Sequence, residues 1–104
     1  MIINDEINEI KRVILETVPA LQIYLFGSYA KGTQREDSDY DFYVVIPDDS
    51  MRPLDAAYQI NLALHPTQKR SVDMLVGNKS KFDKYKHVYS VENEVMESGV
   101  RIYG

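Results

Sequence analysis

The residues that could do chemistry begin with a Gly-Ser pair and two closely spaced aspartates. Gly27 and Ser28 follow the apolar residues 23–26, and Asp39 and Asp41 introduce a second apolar run. Alternate side chains of a strand share a face, so these carboxylates would repel unless a cation binds or one keeps its proton. Carboxylate oxygens suit Mg²⁺, and a Gly-Ser turn offers N–H groups and a hydroxyl to phosphate. The stretch therefore predicts a phosphate site beside a metal site.

A third aspartate, Asp73, lies within another apolar run, residues 71–76. A bare carboxylate is costly to bury, so this residue needs either a salt-bridge partner or a cation. Two matching aspartates elsewhere in the chain favour a shared metal site, because convergent carboxylates mark functional sites.

Strands and turns are predicted around these residues. The strands cover residues 23–26, residues 39 or 40 to 46, and residues 72–76, where Gly77 ends the third strand. A short helical turn from Ser28, closed by Gly32, follows the first strand.

Three longer helices are predicted from apolar spacing. The first has Asn4 or Asp5 as its cap, ends at residues 18–20, and carries isoleucines at Ile3, Ile7, Ile10 and Ile14. A second helix from about Pro53 to Leu64 is expected to bury Leu54, Ala57, Tyr58, Ile60 and Leu64. A last helix contains Val91, Val95 and Met96 and ends at Gly99.

The Gly-Ser pair, the ten residues after it and the Asp-Tyr-Asp run, each following or starting an apolar strand, resemble the DNA polymerase beta-like nucleotidyltransferases. The likeness is closest to their minimal nucleotidyltransferase branch and covers almost the whole chain. That family carries a third carboxylate on a later strand, where Asp73 stands. Lys31 stands where the family often has arginine. Lysine keeps the positive charge but loses the bidentate contact that arginine can make.

The resemblance implies one α/β (α+β) domain over residues 1–104, with helices packed on a small mixed β-sheet. It implies an enzyme that moves a nucleoside monophosphate, AMP from ATP, to an acceptor hydroxyl. Gly27 and Ser28 would bind the nucleotide phosphates. The catalytic residues and ligands of two Mg²⁺ ions would be Asp39, Asp41 and Asp73.

Composition limits the other classes of function. The chain has 104 residues, a net charge of −4 and no cysteine. The acidic balance argues against a protein that binds nucleic acid through a broad basic surface. The sequence has no apolar run long enough to span a membrane, and the lack of cysteine suits a cytoplasmic protein.

Three acceptors or roles stay open at this stage. The resemblance favours an antitoxin that adenylylates a tyrosine of a separate all-helical HEPN toxin. The alternatives are a small-molecule nucleotidyltransferase of the aminoglycoside-modifying type, or a nucleotide-binding subunit that neutralises its partner by occlusion. The acceptor would be presented by a partner or by a second copy of the chain. The candidate contact residues, for which core packing is the alternative role, are Tyr85, Val88, Tyr89, Val91, Val95 and Tyr103.

Overall fold

The computed structural model describes residues 4–33, 39–66 and 71–104. The helices are α1 (Asp5–Thr17), α2 (Ser28–Lys31), α3 (Pro53–Leu64), α4 (Lys79–Tyr85) and α5 (Val91–Ser98). The strands are β1 (Gln22–Phe26), β2 (Tyr40–Ile46), β3 (Val72–Asn78) and β4 (Val100–Tyr103). The predicted fold class, helices on a small mixed sheet, is confirmed. No helix within these ranges is long and apolar enough to cross a membrane.

The sheet brings the three predicted strands together and adds β4. Its order is β3-β2-β1-β4, with β2 antiparallel to β1 and parallel to β3. The register sets Asp41 beside Phe26 of β1 on one side and beside Asp73 of β3 on the other. The end of β1 and the starts of β2 and β3 therefore meet at one edge of the sheet.

Helix α1 forms as its sequence predicts. The side chain of Asn4 caps it by accepting a hydrogen bond from the Ile7 N–H at 2.8 Å, and Val18 ends it. Ile7, Ile10 and Ile14 are buried against the sheet, whereas the predicted Ile3 lies outside the described residues.

Helix α3 has the predicted bounds but buries a different face. Its buried residues are Ala56, Ile60 and Leu64, whereas Leu54 is 76% exposed and Tyr58 is 62% exposed. The inward placements of those two residues are wrong. Apolar side chains four residues apart form two stripes on this helix, and packing against β3 and α1 selects one of them.

The second face of the sheet carries the C-terminal helices. The region after β3 forms two helices, α4 and α5, where one was predicted. Strand β3 also runs through Gly77 to Asn78 rather than ending at Gly77, because its backbone continues to pair with β2. Phe82 of α4 and Val95 of α5 are buried in a core cluster with Tyr24, Phe26, Tyr43 and Val45.

Candidate functional site

The predicted phosphate turn lies directly after β1. Gly27 has a φ of 72°, a backbone conformation that residues with a side chain rarely adopt. It is the N-cap residue of the four-residue helix α2. Gly32 ends α2 in the left-handed region at φ 75°. The Lys31 N–H donates to the Gly27 carbonyl at 3.1 Å, and the Thr33 N–H donates to the Ser28 carbonyl at 3.0 Å. The turn from Ser28 to Gly32 is thus formed as predicted.

Gly27 and Asp41 are in close contact. A Cβ built on Gly27 would overlap Oδ2 of Asp41, so only glycine lets the turn approach this carboxylate. The antiparallel pairing of Phe26 with Asp41 produces this approach. The arrangement holds the backbone of the phosphate turn against the carboxylate of β2.

Asp41 and Asp73 form a carboxylate pair across the parallel strands. Burial, a hydrogen bond with Asp73 and the charge of Asp73 together raise the pKa of Asp41 from 3.8 to about 6. The charges of Asp39 and Glu94 act in the same direction. The neighbouring carboxylate therefore favours the protonated form of Asp41, the direction expected for adjacent like charges.

Asp39 lies one residue before β2 and is exposed. Its charge reaches Asp41, but within the described ranges no three acidic, histidine or cysteine side chains are grouped closely enough to hold a metal ion. The oxygen donors of Asp41 and Asp73 fit a hard divalent cation in type and in proximity. The site with two ions and all three aspartates remains a prediction.

Tyr40, which stands between Asp39 and Asp41, anchors the start of β2. Its ring is buried and lies 4.4 Å from the ring of Tyr29 in α2. Its hydroxyl donates to Glu6 Oε1 at 2.7 Å and accepts from Asn4 Nδ2 at 3.2 Å. No local pattern indicates this contact, which connects the start of β2 to both α2 and the start of α1.

Glu94 of α5 is a residue of the site that sequence reasoning missed. Its carboxylate pairs with Lys31 Nζ at 3.4 Å, and its charge contributes to the raised pKa of Asp41. The two residues of the pair are 63 positions apart, so no local pattern could have indicated it.

The predicted partner-contact residues divide into two groups. Val95 is fully buried in the core, so its assignment as a contact residue is wrong. The remaining residues keep a third or more of their surface exposed and stay candidates: Tyr85, Val88, Tyr89, Val91 and Tyr103. Tyr89 is entirely exposed.

Comparisons with known proteins agree with this geometry. A 42-residue segment, 39% of the chain, is 48% identical to the protein adenylyltransferase MntA of Shewanella oneidensis and spans only 30% of that protein. A toxin-antitoxin crystal structure with AMP-PNP has a TM-score of 0.70 and 25% identity, over 97% of this chain and 74% of that one. A mutant of the MntA-HpeT toxin-antitoxin complex has a TM-score of 0.67 and 26% identity, over 99% of this chain and 74% of that one.

The family model of the nucleotidyltransferase domain matches residues 7–101, nearly the whole chain. The match includes the Gly-Ser turn, all three aspartates and α5. The relatives above support the minimal branch that the sequence resembles. This chain therefore belongs to the nucleotidyltransferase domain family.

Proposed function

We propose that this chain transfers AMP from ATP to an acceptor hydroxyl presented by another protein. One observation carries the proposal: Asp41 and Asp73 lie side by side, and Asp41 lies directly against the Gly27 turn. A phosphate turn and a carboxylate pair in contact are the two parts that phosphoryl-group transfer needs. Membership of the nucleotidyltransferase domain family supports the reaction class.

The roles of the residues follow from their places. The Gly27 N–H and the Ser28 hydroxyl would bind the terminal phosphates, and Lys31 at the end of α2 would add a positive charge. Asp39, Asp41 and Asp73 would hold two Mg²⁺ ions. When bound, these ions would neutralise phosphate charge and lower the pKa of the acceptor hydroxyl.

The transfer itself exchanges one phosphorus–oxygen bond for another. The acceptor oxygen attacks the α-phosphorus, and the bond to the β-phosphate oxygen breaks, which releases pyrophosphate. Asp73 is exposed on the edge strand β3, where it would take the proton of the acceptor hydroxyl. Asp41, which is half-buried, would stay fixed at the centre of the site.

We propose that the acceptor is a tyrosine of an all-helical HEPN toxin and that this chain acts as its antitoxin. The family resemblance suggests this partner, and the likeness to an adenylyltransferase and to toxin-antitoxin complexes supports it. Tyr89 and its exposed apolar neighbours Val88 and Val91 offer a contact surface next to α5.

The test is to incubate the purified chain and its HEPN partner with α-labelled ATP and Mg²⁺. The proposal expects label on a partner tyrosine, lost in an Asp39→Asn, Asp41→Asn double variant. A stable complex without label, with neutralisation retained by that variant, would instead establish occlusion. Label on an aminoglycoside in the absence of a partner would establish the small-molecule alternative.

A further inference from the structure

Helix α5 is fixed to the sheet in a way that places Glu94 at the site. Val95 is fully buried, and the neighbouring Glu92 is only 3% exposed. The Tyr43 hydroxyl of β2 donates to Glu92 Oε2 at 2.7 Å, which attaches the first turn of α5 to the strand that carries Asp41. Glu94, two residues further along, is therefore carried on an anchored helix, and its charge acts on Asp41.

Lys31 is held equally firmly at its backbone. It is the last residue of α2, and its N–H donates to the Gly27 carbonyl, so its side chain starts from the phosphate turn. The amine instead pairs with Glu94 at 3.4 Å, with both side chains about half exposed. Half-exposed pairs are weak, so a more highly charged anion can displace Glu94 from this lysine.

We propose that Glu94 is a positioning residue that holds Lys31 away from the phosphate turn until a nucleoside triphosphate competes for it. The inference rests on the proposed function, because it takes the turn at Gly27 and Ser28 as the phosphate site. Nucleotide binding then exchanges one partner of Lys31 for another. ATP must break the ion pair, whereas AMP lacks the terminal phosphates that would reach the amine.

The first test compares nucleotide affinity in Glu94→Gln and the wild-type chain. The variant frees Lys31, so calorimetry with Mg²⁺ and ATP should give a dissociation constant about two- to fivefold lower. AMP affinity should not change. Glu97→Gln, on the same helix, is the matched control and should bind ATP like the wild type. An unchanged or weaker ATP affinity in Glu94→Gln would overturn the proposal.

The second test separates a contact through Lys31 from a general effect of removing negative charge. Lys31→Met is combined with Glu94→Gln, and ATP affinity is measured for both single variants and the double variant. The proposal expects Glu94→Gln to have no effect once Lys31 is gone. An equal gain in both backgrounds would mean that Glu94 acts only through its field, and the proposal would fail.

These tests distinguish failure of this inference from failure of the proposed function. A wild-type chain that binds no ATP in the presence of Mg²⁺ would overturn the function and this inference together. ATP binding with no effect of Glu94→Gln would overturn only the role of Glu94. Glu94 and Lys31 are both on the surface, so the substitutions leave the core intact, and circular dichroism checks this.

Discussion

Two acidic centres lie on the same face of β2, and their carboxylates have opposite kinds of neighbour. Asp41 faces Asp73, a like charge, and keeps a raised pKa. Two residues further along, Tyr43 donates to Glu92, which also has Lys81 Nζ at 3.7 Å. The Glu92 carboxylate thus has a hydrogen-bond donor and a nearby cation, as a buried charge in a stable fold requires. Asp41 instead has another carboxylate beside it and a raised pKa, which favours a chemical role over a structural one.

Each centre also depends on a glycine that leaves room for it. A Cβ on Gly27 would overlap Asp41 Oδ2, and a Cβ on Gly77 would overlap the Tyr43 hydroxyl. The two glycines are therefore matched probes, one for the site and one for the fold.

The largest expected effect is on transfer in Asp41→Asn. Removing one charge from the site should lower the rate of transfer by about 10²–10³-fold, because the carboxylate would hold the Mg²⁺ that neutralises phosphate charge in the transition state. Circular dichroism should show an unchanged fold. Turnover like that of the wild type would show that Asp41 is not at the centre of the reaction.

The glycine pair should separate the two centres. Gly27→Ala displaces Asp41 and should reduce transfer by about 100-fold, since small misplacements in a site have such effects. Gly77→Ala crowds Tyr43 and should lower the free energy of unfolding by about 1–3 kcal/mol while the folded chain keeps its activity. Thermal melts and transfer assays on both variants check this, and loss of transfer in a stable Gly77→Ala chain would contradict it.

Glu92→Ala should destabilise the fold without touching the site directly. The substitution leaves the buried Tyr43 hydroxyl without its acceptor, which should lower the free energy of unfolding by about 1–3 kcal/mol. Glu97→Ala on the exposed part of the same helix is the control and should change it by less than about 0.5 kcal/mol. Denaturant titration measures both, and equal values would mean that the Tyr43–Glu92 bond adds nothing.

The smallest effect is the pH dependence of stability without metal. The pKa of Asp41 is raised from 3.8 to about 6, so the folded chain loses stability as pH rises through this window, where the unfolded chain is already ionised. Asp41→Asn removes this loss. Its melting temperature should therefore exceed that of the wild type at pH 7.5 and approach it near pH 4. A difference that does not depend on pH would contradict the raised pKa.

Local sequence patterns correctly predicted the elements whose conformation depends on neighbouring residues. Apolar runs followed by glycine indicated β1 and the turn at Gly27, and the isoleucine spacing indicated α1 with its cap at Asn4. The patterns failed where two alternative packings fit the local sequence equally well. Helix α3 offers two apolar stripes, and hydropathy could not show that Leu54 and Tyr58 would be the exposed ones.

Local patterns predict β1, β2 and β3, the turn at Gly27 and the aspartates near it, because alternation and glycine conformations are local properties. The tertiary structure determines that Asp73 pairs with Asp41, since this depends on the register of two parallel strands joined by a helix. It also decided that Glu94 reaches Lys31 across 63 positions of sequence. Such contacts follow from how helices pack on the sheet, and no spacing along the chain encodes them.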